Sequence, residues 1–252
     1  MGVSGLNINK WSDMPYKEVR GNIFISKAQA LVNTVNCVGV MGKGIALEFR
    51  RRYPNMFEEY QRVCERGELQ PGQILPYRDG ETRILNFAIK KDWKQPSKVE
   101  WIDSCLKEFV SSYRDMDIKS IAFPWMGAMN GGIPIEIIKK TMRNYLSNLM
   151  DIDIEVYDFD PEASDPLFEN LNNIAKSQHL NIKYLSKRSG IQSRYMEKII
   201  KALQEGNIRS LPHLIESGVI GKTNIEKLYA FLIDLRTNSE SPYQVTLFPE
   251  GE

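Results

Sequence analysis

Twice in this chain a short apolar run rich in β-branched or aromatic residues ends in a glycine loop that leads straight into a helical pattern. ALVNTV (Ala30 to Val35) is followed by NCVGVMGKG, in which Gly39, Gly42 and Gly44 fall within six residues. SIAFPW (Ser120 to Trp125) is followed by MGAMNGGIP (Met126 to Pro134). A strand, a bare loop and a helix in that order are the units of an α/β fold. Such loops sit at the carboxyl ends of strands, where open α/β sheets bind ligands. Glycine lets the backbone come close to a bound group, and the N–H groups of the following helix point at an anion. Taken singly, either loop reads equally well as a capped tight turn. Two of them favour one shared site that cradles a diphosphate from both sides.

The remaining elements fit this class. TRILNFAI (Thr82 to Ile89) and IEVYDF (Ile154 to Phe159) read as further buried strands. Helical spacing covers Gly44 to Tyr53, Ser97 to Tyr113 and Pro134 to Met150. The first loop is neither G-x-x-x-x-G-K-S/T nor G-x-G-x-x-G, because Ala46 and Leu47 follow Ile45. ATP-driven chemistry is therefore not indicated.

These residues carry a resemblance. The stretch from Gly21 to Pro54 resembles the opening of a macrodomain, through Gly21-Asn22, Val32-Asn33-Thr34-Val35-Asn36 and Gly39-Val-Met-Gly-Lys-Gly-Ile-Ala46. It is most similar to the DarG-like branch, antitoxins that remove ADP-ribose from DNA. The resemblance implies a three-layer α/β/α fold with a mixed central sheet, in residues 1–160. It also implies ADP-ribose, free or on DNA bases, as ligand, hydrolysis of the bond to ribose, and no cofactor or metal. By resemblance, Asn22 and Ile23 fall in the turn that contacts adenine, and Asn33 and Asn36 face the distal ribose. Gly42, Lys43, Gly44 and Ile45 match the first diphosphate loop. Gly127, Ala128, Met129, Asn130, Gly131 and Gly132 match the second.

In that branch a similar strand ends in a lysine essential to the glycohydrolase. Aligning Asn86-Phe87-Ala88-Ile89-Lys90 puts Lys90 there, with Lys91 as the register alternative. A lysine desolvated at a cleft has a lowered pKa. It can attack or orient the anomeric carbon, or protonate the leaving base. The chain departs from the branch at Ala88 and Ile89, where proline and threonine are usual, and in its second loop. There Asn130 stands where some relatives use an acid, and the larger Met129 borders the distal ribose. A reader of ADP-ribose without catalysis, or a DNA-binding regulator that senses the nucleotide, are the alternative readings. Cys37, near the first loop, reads as a small apolar filler, since no histidine lies in this part of the chain to activate it.

DFDPEASDPLFEN (Asp158 to Asn170), acidic and with two prolines, marks a boundary. Beyond it the strand signal fades, and residues 161–240 read as a small all-helical domain. Asn181 to Leu203 has the pattern of a helix, a glycine turn and a second helix, with Ile182, Leu185 and Ile191 inward. Tyr195, Ile199 and Leu203 would line the inner face of the second helix. Lys183, Lys187, Arg188, Arg194, Lys198 and Lys201 make a basic surface suited to phosphates. An ordinary hairpin with a solvated charged face is the other reading, and a DarT-like toxin is the partner that the resemblance implies. In the tail, 241–252, Gln244-Val245-Thr246-Leu247-Phe248 is similar to the Q-x-x-L-F peptide accepted by bacterial sliding clamps. Three scattered cysteines without C-x-x-C, an opening MGVSGLNINKWSD without a signal-peptide core, and no membrane-spanning run lead to an expected cytoplasmic setting.

Overall fold

The structure is a computed structural model that describes residues 15–237. The described residues divide into two compact units. One holds those up to Ala46 and Asn55–Asp158, and the other holds Leu47–Pro54 and those from Phe159 onward.

The first unit is built on a six-stranded sheet. Its strands are β1 (Tyr16–Gly21), β2 (Ala30–Asn36), β3 (Ile74–Asp79), β4 (Thr82–Lys90), β5 (Ser120–Pro124) and β6 (Asp153–Phe159), in the order β1-β6-β5-β2-β4-β3. β4, β2, β5 and β6 run parallel, and β3 pairs antiparallel with β4. The sheet is mixed and flanked by helices, as the sequence led us to expect. The central strands ALVNTVN and TRILNFAIK are buried almost throughout and mainly apolar in their middles, because both of their faces are covered. β3 carries Pro76, which an edge strand tolerates.

Helices α1 (Gly44–Arg52), α2 (Pro54–Glu65), α3 (Val99–Ser112) and α4 (Ile135–Leu146) follow the pattern expected of an α/β chain. On one face of the sheet, Val32, Leu85, Phe87 and Phe123 pack with Ile102, Leu106 and Phe109 of α3 and with Ile138 and Met142 of α4. Phe123 meets Phe87 and Phe109 edge to face, with ring centroids 5.8 and 5.4 Å away. The alternate residues Leu31, Asn33 and Val35 of β2 and Ile84, Asn86 and Ala88 of β4 point the other way and are equally buried. α2 buries Met56, Tyr60 and Cys64, and the hydroxyl of Tyr60 reaches Asn36 at the end of β2. No helix among the described residues is long and apolar enough to cross a membrane.

The second unit is helical. It contains α5 (Pro166–Ala175), α6 (Ile182–Ser189), α7 (Ser193–Gln204), α8 (Leu211–Glu216) and α9 (Lys222–Thr237), together with the greater part of α1. Its core joins Leu167, Leu171, Leu185, Ile199, Leu214 and Leu228, among others. The latter half of the acidic stretch Asp158 to Asn170 is no linker. Asp165 caps α5 by accepting from the N–H of Leu167 at 3.0 Å and pairs with the buried guanidinium of Arg52 at 2.5 Å. Arg52 also lies over the ring of Tyr229, whose hydroxyl donates to Glu48 at 2.7 Å. Glu226 holds Arg50 and Arg51 at 3.1 and 3.2 Å. The arginines that end α1 are thus bound into this unit by ion pairs. No sequence signal marked Leu47–Pro54 as part of it.

Candidate functional site

The two glycine loops meet. A Cβ built on Gly44 would collide with the side-chain amide nitrogen of Asn130, so the first loop and the second are in contact at that point. Gly44 has φ +56°, a conformation that glycine alone adopts freely. The second loop is folded tightly on itself. The N–H of Ile133 donates to the carbonyl of Gly127 at 3.1 Å, and that of Ser97 to the carbonyl of Gly131 at 2.9 Å. Gly131 lies so close to the backbone of Gly127 that there is no room for a side chain. Gly42, Lys43, Gly44, Met129, Asn130 and Gly132 are exposed, while Ile45 and Ala128 are half-buried and Gly127 and Gly131 buried.

The first loop is shaped by Asn36. Its amide donates to the carbonyl of Val40 at 2.5 Å, and its Oδ1 accepts from the N–H groups of Val38 and Val40 at 3.0 and 3.3 Å. Tyr60 Oη lies 2.8 Å from the Asn36 carbonyl and 3.0 Å from its Oδ1. Burial pushes the Tyr60 hydroxyl pKa well up, so it remains a donor. Asn36 therefore holds the loop's backbone in shape, whatever else it touches. Asn33 is fully buried and donates to Asn86 Oδ1 on the neighbouring strand at 2.8 Å, at paired register positions. Its own Oδ1 has no hydrogen-bond partner among the described residues. Asn22 is buried too and caps the 3-10 turn Ile23–Ile25 by accepting from the N–H of Phe24 at 3.1 Å.

Lys90 ends β4. The register between β2 and β4 shifts by one residue after Val35, so that Asn36 faces Lys90 rather than Ile89. Such a bulge re-aims the side chains beyond it. Lys90 Nζ donates to the carbonyl of Asn130 at 2.6 Å, which brings the amine against the second glycine loop. Loss of solvation lowers its pKa from the ordinary lysine value. Lys91 is exposed, and its carbonyl accepts from the N–H of Cys37 at 3.2 Å, tying the first loop to the end of β4. The two adjacent lysines are thus distinguished by geometry, and Lys90 is the one at the loops. Burial pushes the Cys37 thiol up to about 12, which leaves it protonated and unreactive at neutral pH.

Three residues of the site were not singled out in the sequence. Tyr60 orders Asn36, Asn86 answers Asn33, and Ser97 holds Gly131 through its backbone. A signal for Asn86 existed, since LVNTV and ILNFAI each carry one amide in an otherwise apolar strand. Two such amides in buried strands are costly unless they meet. Tyr60 carried no comparable signal, because α2 is rich in charged residues.

Comparison with known proteins agrees with this architecture. The model described as "Macro domain" matches residues 32–142. A DNA ADP-ribosyl glycohydrolase of Thermus aquaticus is 42% identical over 144 residues, which are 56% of this chain and 40% of that protein. The chain thus spans only 40% of the length of this curated relative. The solved macrodomain of Mycobacterium tuberculosis DarG is 40% identical with a TM-score of 0.55, matching 56% of this chain and 96% of that one. Thermosipho africanus DarTG, solved in complex with ADP-ribose, is 30% identical with a TM-score of 0.53, over 61% of this chain and 44% of that one. Glycine loops in contact at the ends of parallel strands, a mixed sheet between helices and these likenesses lead to one assignment: the chain belongs to the macrodomain family.

Proposed function

We propose that this protein binds ADP-ribose attached to a DNA base and hydrolyses the bond between that base and the ribose. The bond from the anomeric carbon to the base breaks, the oxygen of water joins the carbon, and the base departs with a proton. The diphosphate lies between the two loops, held by the backbone of Gly42 to Ile45 and of Gly127 to Gly132. Asn22 and Ile23 border the adenine, and Asn33 and Asn36 the distal ribose. Lys90 assists cleavage. The observation that carries the reading is the amine of Lys90, set 2.6 Å from the carbonyl of Asn130 where the two loops meet.

The test uses a DNA oligonucleotide carrying ADP-ribose on a base. Free ADP-ribose is expected to accumulate with turnover, and calorimetry with free ADP-ribose is expected to show saturable heat. Heat without release from the oligonucleotide would favour a reader over an enzyme. Two features favour that second reading. Met126 to Pro134 contains no carboxylate, and Met129 stands 78% exposed at the loop tip. No heat at all would remove both readings.

A hydrolase of this kind needs a transferase that makes its substrate, and a DarT-like toxin is the partner we assign. The peptide Gln244–Phe248 lies outside the described residues, and its proposed docking to a sliding clamp rests on sequence alone. Replacing Leu247 and Phe248 by alanine is expected to weaken capture on immobilised clamp at least about tenfold, since two apolar anchors are lost. Capture that is unchanged, or absent from the parent chain, removes the idea.

A further inference from the structure

The second unit contains a motif that the macrodomain chemistry does not use. α6 has eight residues and α7 has twelve, and only Gly190, Ile191 and Gln192 separate them. Gly190 takes the left-handed conformation, φ 67°, that turns the chain out of α6. The turn is fixed from two sides. Ser189 Oγ accepts from the N–H of Ile191 at 3.2 Å, and Lys227 of α9 donates to the carbonyl of Gly190 at 2.8 Å. Leu185, Ser189, Ile191, Met196 and Ile199 are buried. This spacing is that of a DNA-binding helix-turn-helix: a short helix, a three-residue turn opened by glycine, and a second helix packed through its inner face.

The outer face of α7 is what such a motif would use. Ser193, Arg194, Glu197, Lys198 and Lys201 are all exposed and lie along one side of the helix, and Gln192, also exposed, stands at its N-cap. From Asn181 to Gln204 there are six basic side chains and one acidic, a local charge of +5 in a chain whose net charge is +1. Arg188 belongs to the fold, since it is held by Asp234 at 2.9 Å and by the hydroxyl of Tyr184 at 3.2 Å. Arg194 lies over the ring of Tyr195 at 4.7 Å and Lys198 at 5.9 Å, so the half-buried tyrosine aligns two cations at the start of α7. Tyr195 packs half-buried against the core, as expected, and carries these cations at its edge, while Met196 beside it is fully buried in the core.

We infer that α7 is a recognition helix that enters the major groove of double-stranded DNA. Gln192, Ser193, Arg194 and Glu197 meet base edges, and Lys198 and Lys201 meet phosphates. The side-chain types suit the task. Arginine reads guanine, glutamine reads adenine, and a carboxylate accepts from the amino group of cytosine. Base-reading groups among the cations mark a face built for sequence as well as charge. The assignment stands apart from the hydrolase reading, because it requires no ADP-ribose.

The test is fluorescence anisotropy of the full chain with an unmodified, fluorescein-labelled random-sequence duplex of about 24 base pairs, from about 50 to 200 mM salt. Micromolar binding at the low end is expected, with log K falling against log salt at a slope of about −3 to −4, as a few phosphate contacts would give. Arg194→Ala combined with Lys198→Ala is expected to weaken binding at least about tenfold at low salt and to make the slope shallower by about 1, for the phosphate contact that Lys198 makes. Both positions are solvent-exposed, and the same variant is expected to keep its melting temperature and its heat with ADP-ribose. No binding at tens of micromolar protein, binding untouched by the double substitution, or equal affinity for duplex RNA, whose major groove does not admit a helix, would each overturn the assignment.

Discussion

Replacing Lys90 by alanine is expected to reduce release of ADP-ribose from modified DNA by about a thousandfold or more, while the affinity for free ADP-ribose changes less than about threefold. The size is what a proton-transferring or nucleophilic group contributes when it acts in the transition state alone. Binding is expected to survive because, in the proposed reading, the diphosphate contacts come from backbone and not from Lys90. Lys90→Arg is expected to fail nearly as badly, since a guanidinium does not deprotonate in the working range. Removal of solvent from the ammonium disfavours its charged form, so the pKa of Lys90 lies below the ordinary lysine value. If the neutral amine is the acting form, the rate rises with pH and levels off at a midpoint below that value. A rate that falls as pH rises would assign the ammonium, as an acid that protonates the leaving base. A Lys90→Ala enzyme with normal turnover would remove Lys90 from the chemistry, and Lys91→Ala is the control because Lys91 is exposed and serves the first loop through its backbone.

What the sequence made legible follows from burial. β2, β4 and β5 are covered on both faces and β6 buries Ile154, Val156 and Tyr157, so their runs of β-branched and aromatic residues announce them. β1 and β3 went unread because they are the two edges of the sheet. YKEVRG and ILPYRD bury few side chains, and Pro76 argues against any strand except one at an edge. α2 was missed for a related reason. Its Met56, Tyr60 and Cys64 form a regular inner stripe at four-residue spacing, but charged and polar residues surround them. The glycine loops were legible because a bare backbone between strand and helix has few uses other than close approach. The bulge that turns Lys90 toward Asn36 and the hydrogen bonds that commit Asn36 to Val38 and Val40 were not legible. Both depend on how strands pair and loops close, which no local spacing encodes.

Gly131→Ala is expected to abolish ADP-ribose binding, with a loss of at least about a hundredfold in affinity by calorimetry. Its backbone does not require a left-handed conformation, so the reason lies in space and not in torsion. A methyl group there would run into the carbonyl oxygen and Cα of Gly127, and main chain cannot swing aside as a side chain would. Relief requires the loop to open, which breaks the bonds from Ile133 to Gly127 and from Ser97 to Gly131. It also moves Asn130, whose amide rests on Gly44 and whose carbonyl receives the amine of Lys90. One methyl group thus disturbs both halves of the cradle and the lysine beside it, and a factor of a hundred corresponds to only about 2.7 kcal/mol, the loss of two or three well-placed backbone hydrogen bonds. Gly132→Ala is a different case, because its added carbon would come no nearer to its neighbours than 4.0 Å, on the ring of Pro96, and its strain is only that of φ +76°. Its effect is expected to be milder than that of Gly131→Ala, by about tenfold in affinity. Should the two substitutions prove equally harmless, the close approach of Gly131 to Gly127 has no part in holding the nucleotide, and the second loop loses its place in the site.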